Sequence, residues 1–126
     1  MEGITIKKIK PAFTDARGSI TDVLNEKVNH VGLVITKKDA IRANHYHKLS
    51  TQYSYILSGS AEVSVAKFDK ASRVEKFILN SGDLVTISPL IIHKFKAIED
   101  FIMIDVISES RAGTGYEDDV IRVTLE

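Results

Sequence analysis

The chain has 126 residues, with 17 basic and 17 acidic side chains, 44% hydrophobic and 27% charged residues, and no cysteine. That length holds one domain with a substantial core, and the charge balance argues against a broad footprint for nucleic acid or anionic membrane. The absence of cysteine excludes disulfides and thiolate metal sites.

In chain order, short runs rich in Val, Ile, Tyr and Phe, bounded by turn residues, predict strands. They fall at residues 3–9, 18–25, 30–36, 40–47, 52–59, 60–69, 74–80, 83–88, 93–99, 101–108 and 119–125. Gly59 in "LSGS" and Gly82 in "NSGD" mark turns between strands. No window of a dozen residues sustains a 3.6-residue apolar period, so the pattern predicts an all-β antiparallel sandwich or barrel. A single domain over 1–126 is expected, with "SESRAGTGYEDD" (108–119) as a surface loop without a binding role. No apolar run approaches the ~20 residues of a membrane span. "MEGITIKKIK" lacks the apolar core of a signal peptide, so a soluble cytoplasmic protein that engages neither membrane nor nucleic acid is expected.

The chemistry gathers at "RANHYHKLSTQYSYILSGSAEV", residues 42–63. Side chains at i and i+2 of a strand share a face, so His45 and His47 project together and Tyr46 points away. Gln52 on the next strand returns to the histidine face. His93 follows a turn, a strand and Pro89, and can join them inside a small barrel. Neutral imidazole is a common metal ligand, and three of them suit Zn, Fe, Mn, Ni or Cu. The same pair on an exposed sheet face would carry no function.

"H-Y-H-x4-Q-x6-G" from His45 to Gly59, then "G-D-x4-S-P-x3-H" from Gly82 to His93, resembles the two cupin motifs. The resemblance implies a jelly-roll barrel, or double-stranded β-helix, and a divalent metal (Zn, Ni, Mn or Fe) held by His45, His47, Gln52 and His93. Gln52 stands where the family has a ligating glutamate. Ser88 and Leu90 replace the second motif's proline and glycine, with Pro89 displaced by one. An amide oxygen leaves the ion's charge uncompensated, so such a metal would be held less tightly.

"DARGSITDVLN", "RANHYHK" with Gln52, and "GYEDDVIRV" are similar to the sugar-nucleotide cupins of polysaccharide biosynthesis. These include dTDP-4-oxo-6-deoxyglucose 3,4-ketoisomerases and the zinc cupin domain of capsular-polysaccharide epimerases. What this resemblance implies is an isomerase or epimerase acting on a sugar or sugar nucleotide. Its chemistry is proton transfer beside a ketone, for which histidine has a suitable unshifted pKa of ~6.5. On that reading His45 and His47 are bases, His93 is a third ligand or donor, and Gln52 orients a histidine or completes a coordination shell. Arg17, Arg42 and Lys48 would contact a nucleotide diphosphate, and Tyr116 would lie at the rim. A small metal-dependent dioxygenase and a non-catalytic sugar-binding module are the alternatives.

Gly32-Leu33 stands where the ketoisomerases have adjacent tyrosines. Tyr46, Tyr53 and Tyr55 read as packing residues and His30 as structural or exposed. Asp105 in "FIMIDVIS" faces either the lumen, as a substitute acid, or solvent at a sheet edge, and needs a partner if buried. A homodimer through sheet edges is expected, with the N-terminal strand at residues 3–9 available for pairing.

Overall fold

The computed structural model describes residues 1–69 and 73–125. Strands β1 (Ile4–Lys8), β4 (His30–Thr36), β6 (Gln52–Ser58), β9 (Asp83–Ile87) and β11 (Phe101–Ile107) make one five-stranded sheet, in the order β1-β9-β6-β11-β4. The second sheet takes the order β12-β5-β10-β7-β8, from β5 (Ile41–His47), β7 (Ser60–Lys67), β8 (Glu75–Asn80), β10 (Ile91–Ala97) and β12 (Val120–Arg122). All pairings are antiparallel. A hairpin of β2 (Phe13–Asp15) and β3 (Gly18–Ile20) stands apart from both sheets. The two sheets face one another as the expected jelly-roll barrel.

Strand alternation decides what each side chain meets. On β6 the inward set runs Gln52, Ser54, Ile56, and on β10 it runs Ile91, His93, Phe95, all buried. One end of the lumen is therefore apolar, filled by Ile56, Val63, Val65, Leu79, Phe95 and Phe101, while the other is polar. Burying these side chains stabilises the barrel by about 1.5–3 kcal/mol each. Gly59 turns β6 into β7 at φ 83°, and a Cβ there would lie 2.1 Å from the Asp100 carbonyl oxygen, so only glycine fits.

Three expectations need correction. Residues 18–25 are strand only to Ile20, because residues 22–26 then pass against the outer face of β1, β9 and β6, where Asp22 and Glu26 share a groove with Thr5, Tyr53 and Thr86. The strand expected at 93–99 begins at Ile91, directly after Leu90 takes a left-handed φ of 70°. Residues 108–119 are not a bare loop: they end in α1 (Gly115–Asp119), which leads into β12.

Candidate functional site

β5 carries the histidines in a distorted stretch of strand. Ala43 and Asn44 hold left-handed φ values of 70° and 62°, a conformation costing an L-residue about 1–2 kcal/mol. The ladder to β10 slips there, pairing His93 with His45 and Lys94 with Ala43. Asn44 is pinned from outside, its carbonyl accepting from the Val123 amide and its Oδ1 from that of Leu125. This bulge re-aims the strand so that His45 and His47 both enter the lumen.

His93, opposite His45 in the ladder, completes a cluster. Ring centroids are 4.8 Å apart for His45 and His93, 5.0 Å for His45 and His47, and 5.5 Å for His47 and His93. One ligand nitrogen from each lies within 4.8 Å of the others. The His93 Nδ1–H donates to the Ile91 carbonyl at 3.0 Å, which leaves Nε2 as an acceptor. That atom and His45 Nδ1 are buried with no hydrogen-bond partner among the described residues. Burial, then His47 and the guanidiniums of Arg122 and Arg111, press the His45 pKa from 6.5 to about 4. Burial and His45 drive that of His93 well below its ordinary value. Both rings are neutral at physiological pH.

His47 is held differently. Its Nδ1–H donates to Asp119 Oδ2 at 2.8 Å, and Nε2 lies 3.0 Å from Gln52 Oε1. Asp119 also accepts from Ser50 Oγ and the amides of Leu49 and Ser50. Burial works against this carboxylate, but the hydrogen bonds from Ser50, Leu49 and His47 outweigh it and hold its pKa below the ordinary value. From Gln52 the chain continues: Nε2 donates to Ser54 Oγ at 3.0 Å, and Ser54 Oγ donates to Asp105 Oδ1 at 2.8 Å. Imidazoles thus line one sheet, facing an amide, a hydroxyl and a carboxyl on the other.

A cavity of about 270 Å³ opens onto this wall. His45, Gln52 and Asp105 line its depth beside Phe95 and Met103, and Arg42, Arg111, Tyr116 and Arg122 line the rest. Arg42 donates from Nε to Thr36 Oγ1 and from Nη2 to the Ile35 carbonyl. The Arg111 guanidinium lies 4.6 Å above the Tyr116 ring, within cation–π range.

His45, Gln52, Arg42 and Tyr116 share the cavity, with His47 and His93 packed behind its wall. Arg17 and Lys48 do not join them. Arg17 is exposed and paired with Asp15 at 2.7 Å, in a separate pocket on the β2–β3 hairpin. Lys48 is exposed past the end of β5 and does not line this cavity. Asp105 faces the lumen, not solvent, while Tyr53 and Tyr55 point outward from β6. His30 is half-buried, on the lumen side of β4.

Arg111, Asp119 and Arg122 were missed: the segment 108–119, expected as a surface loop, lines the cavity with Arg111 and Tyr116 and sets Asp119 against His47. The signal lay in "GYEDDVIRV": β12 pairs Val120 with His47 and Arg122 with His45, bringing its polar residues to the histidines.

The family model of the polysaccharide biosynthesis C-terminal domain matches residues 13–115. The chain belongs to that family. As a polysaccharide biosynthesis C-terminal domain it also has solved counterparts in fold. It is similar to a sugar 3,4-ketoisomerase from Thermoanaerobacterium thermosaccharolyticum in complex with TDP, at 22% identity over 97% of this chain and 89% of that one, with a TM-score of 0.78. A 3,4-ketoisomerase from Helicobacter canadensis gives 20% identity, 94% and 90% coverage and a TM-score of 0.78. The dTDP-4-dehydrorhamnose 3,5-epimerase from Sulfolobus tokodaii gives 22% identity, 90% and 74% coverage and a TM-score of 0.74. No curated protein matches the sequence.

Proposed function

We propose that this domain is an isomerase or epimerase of nucleotide-linked keto-sugars, working by proton transfer at the carbon beside the ketone. The observation that carries the reading is the cavity itself: the neutral ring of His45 and the carboxyl of Asp105 in its depth, with Arg42, Arg111 and Arg122 around them. A neutral imidazole and a carboxyl beside three guanidiniums suit a keto-sugar joined to a diphosphate. At about 270 Å³ the cavity is smaller than the ~300–1,000 Å³ of most ligand pockets. It would house the sugar ring and leave the nucleotide across the rim. The similar ketoisomerase fold bound to TDP-4-keto-6-deoxyglucose supports the same ligand class.

In this reading His45 takes the proton from carbon. His47, fixed by Asp119 and Gln52, holds the ring cluster in place behind it. The arginines bind the diphosphate and exclude water from the sugar end. The donor set also fits a divalent ion, by the unpartnered nitrogens of His45 and His93 and by the Nδ1 anchoring of His47 and His93, the usual support of ligating imidazoles. His45, His47, His93 and Gln52 would hold it, and when bound it supplies Lewis-acid polarisation of a ketone oxygen. We assign the reaction to the cytoplasm and the active form to a homodimer, joined through the apolar outer face of β4 and β11.

The test is a panel of dTDP- and UDP-4-keto-sugars, with the chain as purified and after EDTA dialysis, followed by NMR in D2O. Deuterium entering at the carbon beside the ketone, with a shifted or inverted product, is expected. A panel in which no member binds at millimolar concentration would overturn the reading.

A further inference from the structure

Two aspartates are buried beside the histidines, at 9% exposure for Asp105 and 6% for Asp119, and their surroundings differ. Asp119 is met by one imidazole, one hydroxyl and two backbone amides. Asp105 receives a single hydrogen bond, from Ser54 to Oδ1. Its Oδ2 has no partner among the described residues, and no cation among them comes within ion-pair distance. A carboxylate buried for structural reasons alone gathers donors as Asp119 does.

The sheet leaves Asp105 open to the cavity. Across β4, β11 and β6 the row reads Gly32, Asp105, Ser54. Gly32 puts no side chain beside the carboxyl. A Cβ there would lie 3.2 Å from His30 Nε2 and 3.8 Å from the Asp105 carbonyl oxygen, so even alanine would crowd the spot. Asp105 is also the only acidic side chain, among the described residues, that lines the cavity with His45.

We propose that Asp105 is the catalytic acid of this site, passing a proton from Oδ2 to the oxygen of a bound ketone while an imidazole takes one from the adjacent carbon. This rests on the keto-sugar reading. The C–H electron pair becomes the C=C bond of an enediol, and the carbonyl π pair takes the Asp105 proton as a new O–H bond. On the return, the Asp105 carboxylate takes the proton of the neighbouring hydroxyl, whose oxygen becomes the new ketone. The imidazolium gives its proton to the former carbonyl carbon. Both protein groups end as they began, with no oxidant or reductant. Burial raises the Asp105 pKa against the opposing pull of Ser54 on β6, Arg111 on the loop, His47 on β5 and His30 on β4. Asp119 is shifted the other way, and such divergence separates acid from structural carboxylate.

The first measurement is the infrared difference spectrum between wild type and Asp105→Asn at neutral pH, without substrate. A carboxylic-acid C=O band belonging to the wild type is expected, and its absence overturns the proposal. The second is turnover of the keto-sugar. Asp105→Asn keeps an acceptor for Ser54, so dTDP affinity should hold within about 3-fold while the rate falls about 100-fold or more. A rate equal to wild type overturns the proposal. Ser54→Ala keeps the carboxyl and removes a hydrogen bond that favours its ionised form, so the alkaline limb of its pH–rate profile should move to higher pH. A limb that stays in place also counts against Asp105. Wild type that turns over no keto-sugar would overturn the keto-sugar reading instead, and the infrared band still decides whether Asp105 carries a proton.

Discussion

Gln52 is the residue on which the metal question turns. Its Oε1 sits 3.0 Å from His47 Nε2, and both atoms would be available to hold a divalent ion. A neutral amide leaves the ion's charge uncompensated, whereas a carboxylate cancels part of it. Gln52→Glu is therefore expected to tighten Zn or Ni binding at least about ten-fold, or about 1.4 kcal/mol, in titration against a competing chelator. Unchanged affinity would mean that the four residues do not share one coordination shell. Residue by residue, the imidazole wall was legible because strand period fixes it: i and i+2 share a face, and Gln52 and His93 arrive from neighbouring runs with the same alternation. Arg17 lies apart from the cavity, because a motif position says nothing about where a hairpin outside both sheets will stand. Asp105 stayed open because a lone carboxylate in an apolar run has no period of its own, and only its register against Ser54 settles its face.

Among elements, the strands from 30 to 107 were readable from β-branched alternation and glycine turns, and their ends shifted by at most about two residues, within the usual fraying of boundaries. The segment 108–119 before the last strand was not readable, since its polar, glycine-bearing sequence looks like any exposed connection. Its place is fixed by long-range contacts: Ser108 Oγ accepts from the Thr51 amide, Asp119 caps the end of β5, and β12 pairs with that strand. One continuous segment, a loop followed by α1 and β12, thus delivers Arg111, Tyr116 and Arg122 to the cavity. If the segment is a diphosphate clamp, Arg111→Ala should weaken dTDP binding about ten- to a hundred-fold by calorimetry, the scale of one lost charge-assisted contact. Lys48→Ala, outside the cavity, should leave it unchanged. Equal effects of the two substitutions would remove the basis for assigning the ligand to this cavity.

Two properties belong to the whole molecule. The outer face of one sheet is half covered by the chain's own residues 22–26, while Val31, Leu33 and Ile35 on edge strand β4 stay 61–65% exposed beside Ile102 and Ile104. The proposed dimer would use this surface, at the opposite edge of the sheet from the strand β1 expected from sequence. An uncharged stripe at a sheet edge is self-complementary across a two-fold axis, so Leu33→Glu should convert a dimer to a monomer in sedimentation. A wild-type monomer would exclude the assembly. The second property is acid sensitivity of the metal-free protein. His45 has a folded pKa of about 4 against 6.5 unfolded, so between those values the unfolded chain binds more protons than the folded one. Stability is then full above pH 6.5 and is lost as pH falls towards 4, by about 3 kcal/mol from this ring alone. His93, shifted the same way, adds to the loss. Asp105 opposes it, because its raised pKa makes the folded state the better proton binder above 3.8; Asp119, shifted down, contributes its own loss only below that value. Two histidines outweigh one aspartate, so urea midpoints should fall steadily from pH 7 to 4.5. Asp105→Asn, which removes the compensating group, should fall more steeply. A midpoint flat or rising towards pH 4.5 would mean that His45 and His93 are not buried as neutral rings, and the proton acceptor assigned to His45 would go with them.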